Sequence, residues 1–358
     1  MSARRYGAPN FTLGTHPIAG GAPAYVIAEA GSNHNRDLGT ALELIDAAAA
    51  SGCQAVKFQT YTAEGLYSRR TPNMSYLKDG GLLRQDESVF ELIKRVEIPW
   101  EWHPQLAERA ATAGIDFLST PFEERAVEVL EAVGVPAYKI ASYEVTHLPL
   151  IRACAATGKP LIVSTGMASM GDIERVLDTA NDAGAQEIAL LHCAISYPPR
   201  FEDLNLRAIS TMQAAFGLPV GWSDHSMGHT ADVIAVTLGA CIVEKHYTLS
   251  RDQEGPDHPF ALEPQELAGM VTAIRETEAA LGSTVKRVTE AEAEMFRLGR
   301  RSLVAAHDLP AGVPLTQGAI AVKRPGTGIA VHDLDALIGR SPRQPIEADE
   351  ILTWDLFE

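Results

Sequence analysis

Eight short apolar runs in the first three-quarters of the chain constrain its fold more than any other feature of the sequence. They cover residues 24–28, 54–56, 115–118, 137–141, 160–163, 188–191, 218–221 and 241–243. Between them lie stretches with helical periodicity, such as 41–50, 124–132 and 266–275. This eightfold alternation of strand and helix favours the α/β class, and within it a parallel (β/α)8 barrel over an open sheet.

Polar side chains with useful chemistry follow these runs. They are Glu29, Lys57, Gln59, Ser119, Thr120, Lys139, Ser142, Glu144, Ser164, Thr165, His192, Ser223, Asp224, His225, Glu244 and His246. A (β/α)8 barrel has its active site at the carboxyl ends of its strands. The sequence therefore predicts that catalytic groups share one rim.

The remaining segments predict a two-domain organisation. One barrel takes roughly 250 residues, so a chain of 358 residues has room for a small second unit. We assign residues 1–282 to the barrel, 283–296 to a polar linker, and 297–358 to a β-rich domain of short strands and turns. A hairpin over residues 11–21 is expected to close the bottom of the barrel. The long insertion 61–99 is expected to act as a lid or a specificity loop.

Composition and charge exclude several classes of function. The chain is 46% hydrophobic with a formal charge of −16, which argues against nucleic acid or an anionic membrane as a partner. It contains no apolar stretch near the roughly 20 residues of a membrane span, and its first residues lack the apolar core of a signal peptide. We therefore expect a cytoplasmic protein.

Cysteine usage agrees with a reducing compartment. Cys53, Cys154, Cys193 and Cys241 are scattered along apolar segments without a close pair, which predicts buried thiols. Cys193, after a strand, is also a candidate nucleophile.

Two histidines form the first candidate site. His225 and His246 follow neighbouring strands, so their side chains can converge although 21 positions separate them. Two imidazoles suit a divalent metal that takes its remaining ligands from substrate and water. Spacing alone leaves two alternatives open. A rim histidine can serve as an acid or a hydrogen-bonding group, and other pairings are possible with His34, His192, His229 and His258.

Placed cations form the second candidate site. In a chain this acidic, an anionic substrate must be bound by a few lysines, and Lys57 and Lys139 are the candidates. Hydroxyls at strand ends, as at Ser164 and Thr120, favour a phosphate-bearing substrate. The alternatives are that the lysines extend to the rim for solubility and that the hydroxyls cap helices. Carboxylates for acid–base chemistry or for holding a polyol are supplied by Glu29, Glu144, Asp224 and Asp257.

Motifs along nearly the whole chain resemble those of the sialic acid (N-acetylneuraminate) synthase family. They are AEAGSNHN (28–35), VKFQTY (56–61), STPF (119–122), KIAS (139–142), STGM (164–167), SDHS (223–226), EKHYTL (244–249) and GPDH (255–258). The C-terminal segment resembles the antifreeze-like SAF domain of that family. The resemblance implies a TIM barrel followed by a SAF domain. It also implies an enzyme that condenses phosphoenolpyruvate with an open-chain N-acylated hexose to give a nine-carbon 2-keto acid and phosphate.

The same resemblance implies a role for each matching residue. His225 and His246 would bind Mn²⁺ or Mg²⁺, and the metal would polarise the sugar aldehyde. The residues that would hold phosphoenolpyruvate are Lys57, Thr120, Lys139, Ser142, Ser164 and Ser223. Those that would contact the sugar are Gln59, Glu144, Tyr197 and Asp257, together with Arg324, which would reach the N-acyl group from the SAF domain of a partner subunit in a domain-swapped homodimer. Glu29 is our candidate for orienting or deprotonating the water that adds to C2.

The sugar is the least determined part of the prediction. N-acetylmannosamine is the first candidate. However, residues 192–198 read HCAISYP where the N-acetylmannosamine-using pattern reads HCTNIYP, so Ile195 stands where an amide contacts substrate. A pseudaminic or legionaminic acid synthase that uses a 6-deoxy diacetamido hexose is the alternative. PWEWHP (99–104) and KIASYE (139–144) resemble the pseudaminic branch, whereas AGSNHN and EGPDH resemble the sialic and legionaminic branches.

Two further classes of protein remain as alternatives. Lys139 lies within a strand of the predicted barrel and could form a Schiff base, as in an aldolase. An inactive barrel with a carbohydrate- or ice-binding SAF domain is the other reading, and the intact set of rim residues argues against it.

Overall fold

The computed structural model describes residues 6–74, 77 and 83–358, and the chain divides into two compact units, residues 1–282 and 283–358. The N-terminal residues considered in the targeting prediction (1–5) and part of the insertion (75–76 and 78–82) lie outside the described residues. No helix in the described part of the chain is long and apolar enough to cross a bilayer.

The first unit is the predicted barrel. Its eight parallel strands are β3 (Tyr25–Gly31), β4 (Ala55–Thr60), β5 (Asp116–Pro121), β6 (Tyr138–Ile140), β7 (Leu161–Ser164), β8 (Ile188–Cys193), β9 (Val220–Asp224) and β10 (Ile242–His246). They are hydrogen-bonded in the order β5-β4-β3-β10-β9-β8-β7-β6, so the first strand pairs with the last. The end strands β5 and β6 lie side by side, which nearly closes the sheet into a cylinder. All eight predicted strands are confirmed.

Helices connect the strands. They are α1 (Leu38–Ala50), α2 (Ala63–Leu66), α3 (Val89–Val96), α4 (His103–Ala113), α5 (Glu124–Val133), α6 (Leu148–Ala156), α7 (Met170–Asp182), α8 (Ala208–Phe216), α9 (Thr230–Thr237) and α10 (Pro264–Leu281). Local sequence sets several of their ends. The Ser88 and Ser169 side chains accept a backbone N–H of the first turn of α3 and α7 and form capping boxes. Gly114 and Gly134 end α4 and α5 in the left-handed conformation.

Alternation along the strands builds two apolar layers. On β10, Val243 packs in the layer between strands and helices, whereas Ile242 packs inside the cylinder. On β9, Trp222 faces the helix layer. Because successive side chains of a strand point to opposite faces, Ser223, Glu244 and His246 face the interior at its open end.

An antiparallel hairpin closes the opposite end, as predicted. It consists of β1 (Phe11–Leu13) and β2 (His16–Ile18). Phe11, Leu13 and Ile18 are buried in the cluster of side chains that fills the interior. The hairpin thus makes the amino-terminal end of the cylinder solid core and leaves the carboxyl end available for a pocket.

The second unit contains α11 (Ala293–Leu298), β11 (Ser302–Ala305), β12 (Ile320–Lys323) and α12 (Leu334–Leu337). β11 and β12 pair antiparallel over a small core that includes Leu303, Leu337 and Leu352. The segments 308–315 and 344–352 of the predicted strands and turns contribute isolated bridges, such as Leu309 with Ile346. Helix α11 extends from the segment predicted as a polar linker, and its Met295 is exposed.

Candidate active site

A pocket of about 1100 Å³, including its open mouth, lies at the carboxyl ends of the barrel strands. Twelve of the predicted site residues line it: Glu29, Lys57, Gln59, Thr120, Lys139, Ser142, Ser164, Tyr197, Ser223, His225, His246 and Asp257. Groups from all eight strands or the loops after them therefore converge, although they are spread over more than 200 positions of sequence. The prediction that they share one rim is correct in geometry.

Two buried lysines and one carboxylate form the floor of this pocket. Lys57 and Lys139 are each 2% exposed, and their ammonium groups lie 3.8 and 3.5 Å from the Glu244 carboxylate. Burial opposes the charge of Lys57, but Glu244 and Glu29 outweigh it and raise its pKa. Burial lowers the pKa of Lys139. The alternative that the lysines extend to the rim for solubility is wrong, because both ammonium groups are inside the barrel.

Hydroxyls surround the two ammonium groups. Lys57 Nζ donates to Thr120 Oγ1 at 2.9 Å, and Lys139 Nζ donates to Ser164 Oγ at 2.7 Å. Neither hydroxyl caps a helix, because α5 begins at Glu124 and α7 is capped by Ser169. The alternative that these two hydroxyls cap helices is therefore wrong.

Two other hydroxyls of the predicted rim are not in the pocket. The Ser119 hydroxyl pairs with Thr60 Oγ1 at 2.7 Å, and Thr165 Oγ1 donates to the Leu191 carbonyl. Ser142 does line the pocket, and its Oγ accepts the Gly166 N–H at 3.0 Å. Four hydroxyls, those of Thr120, Ser142, Ser164 and Ser223, thus remain for an anion in the described pocket.

Glu29 lies at the side of the floor, 1% exposed, between a cation and an amide. Its carboxylate is 2.7 Å from Lys57 Nζ and accepts a hydrogen bond of 2.7 Å from Gln59 Nε2. Burial raises the pKa of Glu29 to about 7, even though Lys57 opposes the shift. A carboxyl group with that pKa can exchange a proton at neutral pH.

The two histidines meet above the floor. Their ring centroids are 5.2 Å apart, with 49° between the planes. His225 Nδ1 lies 3.2 Å from the Ala194 carbonyl oxygen, which favours a proton on Nδ1 and leaves Nε2 with its lone pair. His246 Nδ1 is buried without a hydrogen-bond partner. Each ring therefore keeps one nitrogen available to a ligand.

These donors fit a metal that is only partly bound by protein. Among the described residues, no set of three or more His, Cys, Asp or Glu side chains forms a complete metal cage. Two nearby imidazoles with uncommitted nitrogens can nonetheless supply part of the coordination of a divalent metal ion, provided that substrate and water supply the other, oxygen ligands. His34, His192, His229 and His258 are not among the lining residues, so the pocket favours the His225 and His246 pair.

A further wall of the pocket is formed by Tyr197 and Asp257. The Tyr197 ring is 4.5 Å from the His225 ring, and Asp257 Oδ2 accepts hydrogen bonds from both the N–H and the hydroxyl of Ser32. Gly31 has φ +52°, and a Cβ there would lie 2.6 Å from Asp257 Oδ2. Glycine is therefore needed at Gly31 both for its backbone conformation and for the approach of Asp257.

The insertion after β4 contributes an apolar wall. Leu66, Tyr67 and Ile93 line the pocket and are half-buried. Ile195 lies elsewhere in the lining, packed so closely that a Cβ on Gly166 would be 2.5 Å from its Cγ1. The pocket thus combines a charged floor with aliphatic surface.

Glu144, Asp224 and Arg324 also lie outside the described pocket. Glu144 is buried in a short turn after β6, with one carboxylate oxygen lacking a hydrogen-bond partner. Burial raises its pKa to about 7. Asp224, considered for acid–base chemistry, faces the helix layer and pairs with Lys245. Arg324 belongs to the second unit, where its Nε donates to the Gly299 carbonyl.

Glu244 lines the pocket and Phe260 packs behind one of its histidines, and the sequence analysis assigned no role to either. Glu244 is two positions from His246 on β10, so strand alternation could have placed it on the same face. Phe260 packs 5.1 Å from the His246 ring. It comes from a loop after β10, where no periodicity indicates direction. Cys193 ends β8 with its Sγ 3.7 Å from His225 Nδ1, and all four cysteines are buried and free, as predicted.

The fold and pocket define a (β/α)8-barrel enzyme with its site at the carboxyl ends of the strands, followed by a small β-rich domain. The chain belongs to the NeuB family, whose model matches residues 44–286, and residues 300–358 match the SAF domain. The predicted family and fold class are therefore confirmed.

Individual relatives agree with this assignment. The N,N'-diacetyllegionaminic acid synthase of Campylobacter jejuni is 39% identical over 91% of this chain and 98% of that protein. The pseudaminic acid synthase of Helicobacter pylori is 34% identical over 94% of this chain and 98% of that protein. The crystal structure of N-acetylneuraminic acid synthetase from Leptospira borgpetersenii has a TM-score of 0.71 and 35% identity, and it covers 80% of this chain and 94% of that one.

Proposed function

We propose that this chain is a nonulosonic acid synthase that condenses phosphoenolpyruvate with an open-chain N-acylated hexose and releases phosphate. The observation that carries the proposal is the pair of buried ammonium groups, Lys57 and Lys139, set among four hydroxyls at the closed end of the pocket. The family of the chain and the names of its relatives agree with this reaction.

The floor suits a small, highly charged anion. Phosphoenolpyruvate carries a phosphate and a carboxylate, and each lysine can offset one of them. Thr120 and Ser164 are already hydrogen-bonded to the lysines, so they need little reorganisation to join them on the substrate. Glu244 offsets the positive charge of the two lysines when no anion is bound. A substrate must therefore compete with this carboxylate for the ammonium groups.

Glu29 is placed to handle the water of the reaction. Carbon C3 of phosphoenolpyruvate forms a bond to the sugar aldehyde carbon, and C2 becomes electron-poor. Water then adds to C2, and cleavage of the C–O bond releases phosphate. Glu29 is held by Lys57 and Gln59 beside the anion site, where its carboxylate can orient that water and accept its proton.

His225 and His246 would hold the metal, Mn²⁺ or Mg²⁺. When bound there, the ion would supply Lewis-acid polarisation of the sugar aldehyde oxygen. Tyr197 and Phe260 pack against the two imidazoles and fix their ring planes. Asp257, held by Ser32, lies on the same side of the pocket and can accept hydrogen bonds from sugar hydroxyls.

For the sugar, the pocket favours the 6-deoxy diacetamido hexose over N-acetylmannosamine. Ile195 offers no hydrogen bond where the N-acetylmannosamine pattern has an amide, and Leu66 and Ile93 add aliphatic surface. Methyl groups of the deoxy carbon and of two acetamido groups suit such surface. A site that forms a hydrogen bond to a substrate hydroxyl discriminates strongly against a substrate that lacks this hydroxyl. The side chains of Ile195, Leu66 and Ile93 form no such hydrogen bond, so they do not disfavour a 6-deoxy sugar.

Arg324 is proposed to complete the sugar site in a domain-swapped homodimer, where it would reach the N-acyl group from the SAF domain of the partner subunit. It lies in the sequence KRPGTG of the SAF domain, and its guanidinium has donors beyond the one given to Gly299.

One observation favours a second function. Burial lowers the pKa of Lys139, as a lysine that forms a Schiff base requires. Borohydride trapping with pyruvate separates the two reactions, since only an aldolase leaves a covalent adduct on Lys139.

The deciding experiment is mass spectrometry of the product formed from phosphoenolpyruvate and a panel of hexoses. The panel contains N-acetylmannosamine, its 6-phosphate and 6-deoxy diacetamido hexoses. A nine-carbon 2-keto acid with one equivalent of phosphate is the expected product, and water labelled with ¹⁸O should leave the phosphate unlabelled because the C–O bond breaks. If the protein bound sugars of the panel but formed product from none of them, the carbohydrate-binding alternative would replace the proposed enzyme.

A further inference from the structure

Four polar residues lie buried on the side of β9 and β10 that faces the helices, directly behind the two pocket histidines. They are Asp224, Ser226, Asp232 and Lys245, each at most 1% exposed. The surrounding face is otherwise apolar and includes Trp222 and Val243. A buried ammonium group is strongly unfavourable in such a layer unless it is fully paired.

Lys245 is the centre of this cluster. It is the register partner of Asp224 across β9 and β10 and donates a hydrogen bond to its carboxylate. It also donates to the Ser226 carbonyl at 2.6 Å and lies 3.7 Å from the Asp232 carboxylate of α9. The Asp224 carboxylate in turn accepts the N–H of Ser226 at 2.8 Å and its hydroxyl at 3.0 Å.

These contacts fix the backbone just beyond the end of β9, where the hydrogen bonds of the sheet stop. β9 ends at Asp224, so His225 lies just beyond the strand. Lys245 binds the residues immediately before and after His225, and it directly precedes His246. One ammonium group therefore ties together the chain segments that carry both imidazoles, whose centroids are 5.2 Å apart.

Stability alone does not explain the cluster. Replacing a buried ion pair by apolar residues of similar volume is often neutral or stabilising, and this layer offers an apolar environment for such a change. What apolar residues cannot do is set the position of the Ser226 carbonyl and the Asp224 carboxylate by directed hydrogen bonds.

We propose that Lys245 is a positioning residue that, through Asp224 and Ser226, holds His225 and His246 at the separation at which both bind one divalent ion. The inference rests on the proposed metal site and identifies the buried residues that position its two histidine ligands. Lys245 does not touch the pocket and acts only through the backbone of the two histidines.

The test is Mn²⁺ binding to the full-length protein without substrates, with free Mn²⁺ measured by electron paramagnetic resonance. Lys245→Met should weaken Mn²⁺ binding about 10- to 100-fold, the usual cost of losing a residue that orients metal ligands. Saturating Mn²⁺ should restore most of kcat, with KM for phosphoenolpyruvate nearly unchanged. Wild-type affinity in a folded Lys245→Met protein would overturn the inference and leave the metal site in place.

A double variant keeps the test valid if Lys245→Met does not fold. Lys245→Met combined with Asp224→Asn removes both members of the closest ion pair, while the amide oxygen can still accept the Ser226 N–H. Asp232 is unchanged in this variant, and burial raises its pKa, which favours the neutral carboxyl group. We expect this protein to regain stability and still bind Mn²⁺ weakly. Recovery of wild-type affinity would overturn the positioning role, because charge balance would then be the whole effect.

Tyr25→Phe is the matched control. The Tyr25 hydroxyl donates a partly buried hydrogen bond of 2.6 Å to Asp116 at the opposite end of the barrel. Its loss should lower stability without changing Mn²⁺ affinity.

A wild-type protein that binds no Mn²⁺ and turns over without metal would overturn both this inference and the metal site in the proposed function.

Discussion

Glu29 and Lys57 are register partners on adjacent strands, and their carboxylate and ammonium groups lie 2.7 Å apart inside the pocket. Both are almost completely buried. Removing Lys57 would leave the Glu29 carboxylate without its cation in a region of low dielectric, so the pair links the stability of the barrel to its chemistry.

Lys57→Met should therefore reduce both stability and activity. We expect the free energy of unfolding to fall by about 3–5 kcal/mol, because Glu29 loses its partner. Phosphate release should fall at least about 100-fold. Urea unfolding and a phosphate assay measure the two effects. Adding Glu29→Gln should recover much of the stability and none of the activity, and strictly additive losses in the double variant would contradict the coupling.

Removal of metal should abolish turnover. Treatment with EDTA is expected to stop phosphate release, and Mn²⁺ is expected to restore it, because the ion that we propose His225 and His246 hold would polarise the sugar aldehyde. His246→Ala should prevent the recovery at ordinary Mn²⁺ concentrations. Full turnover by metal-free protein would reject the site formed by His225 and His246.

Arg324→Ala should affect one substrate and spare the other. If the guanidinium binds the N-acyl group in the homodimer, KM for the sugar should rise about tenfold or more, and KM for phosphoenolpyruvate should change less than about twofold. Arg343→Ala, an exposed arginine of the same unit, serves as the control. Equal effects on both substrates would remove Arg324 from the sugar site.

Ile195→Asn should shift the choice of sugar. The new amide restores a hydrogen-bonding group beside Gly166, so the ratio of kcat/KM for N-acetylmannosamine to that for the 6-deoxy diacetamido hexose should rise about tenfold. Competition between the two sugars, followed by mass spectrometry of the products, measures this ratio. An unchanged ratio would show that Ile195 does not select the substrate.

The contribution of Glu144 to the free energy of unfolding should decrease as the pH rises. Burial raises its pKa to about 7 from the ordinary value of 4.5, so the folded chain holds this proton more tightly than the unfolded chain. The stabilisation that this proton gives to the folded state is therefore fully present below pH 4.5, the unfolded pKa. It is lost as the pH rises to about 7, the folded pKa, and does not change further at higher pH. Glu144→Gln should stabilise the protein by up to about 3 kcal/mol more at about pH 8 than at about pH 5. Parallel pH profiles of urea unfolding would contradict this.

Strand alternation shows how far prediction from sequence could go. The apolar runs and the period of two determine that Glu244 and His246 share one face and that Lys245 takes the other. The barrel topology then brings β9 beside β10, so the meeting of His225 with His246 also follows from sequence. Glu144 shows the limit, because it stands in a turn after β6, where no periodicity indicates whether a side chain enters the pocket.

The amino-acid sequence by itself determined the barrel, its second domain and the rim on which polar groups gather, because these depend on local periodicity and on the general rule for strand ends. Only the tertiary structure decided how the charges are balanced. Lys57 and Lys139 are buried around Glu244, whereas Asp224 turns away to meet Lys245. Such pairings join residues far apart in the chain, and their energies depend on distances of a few ångströms and on burial, neither of which local sequence contains.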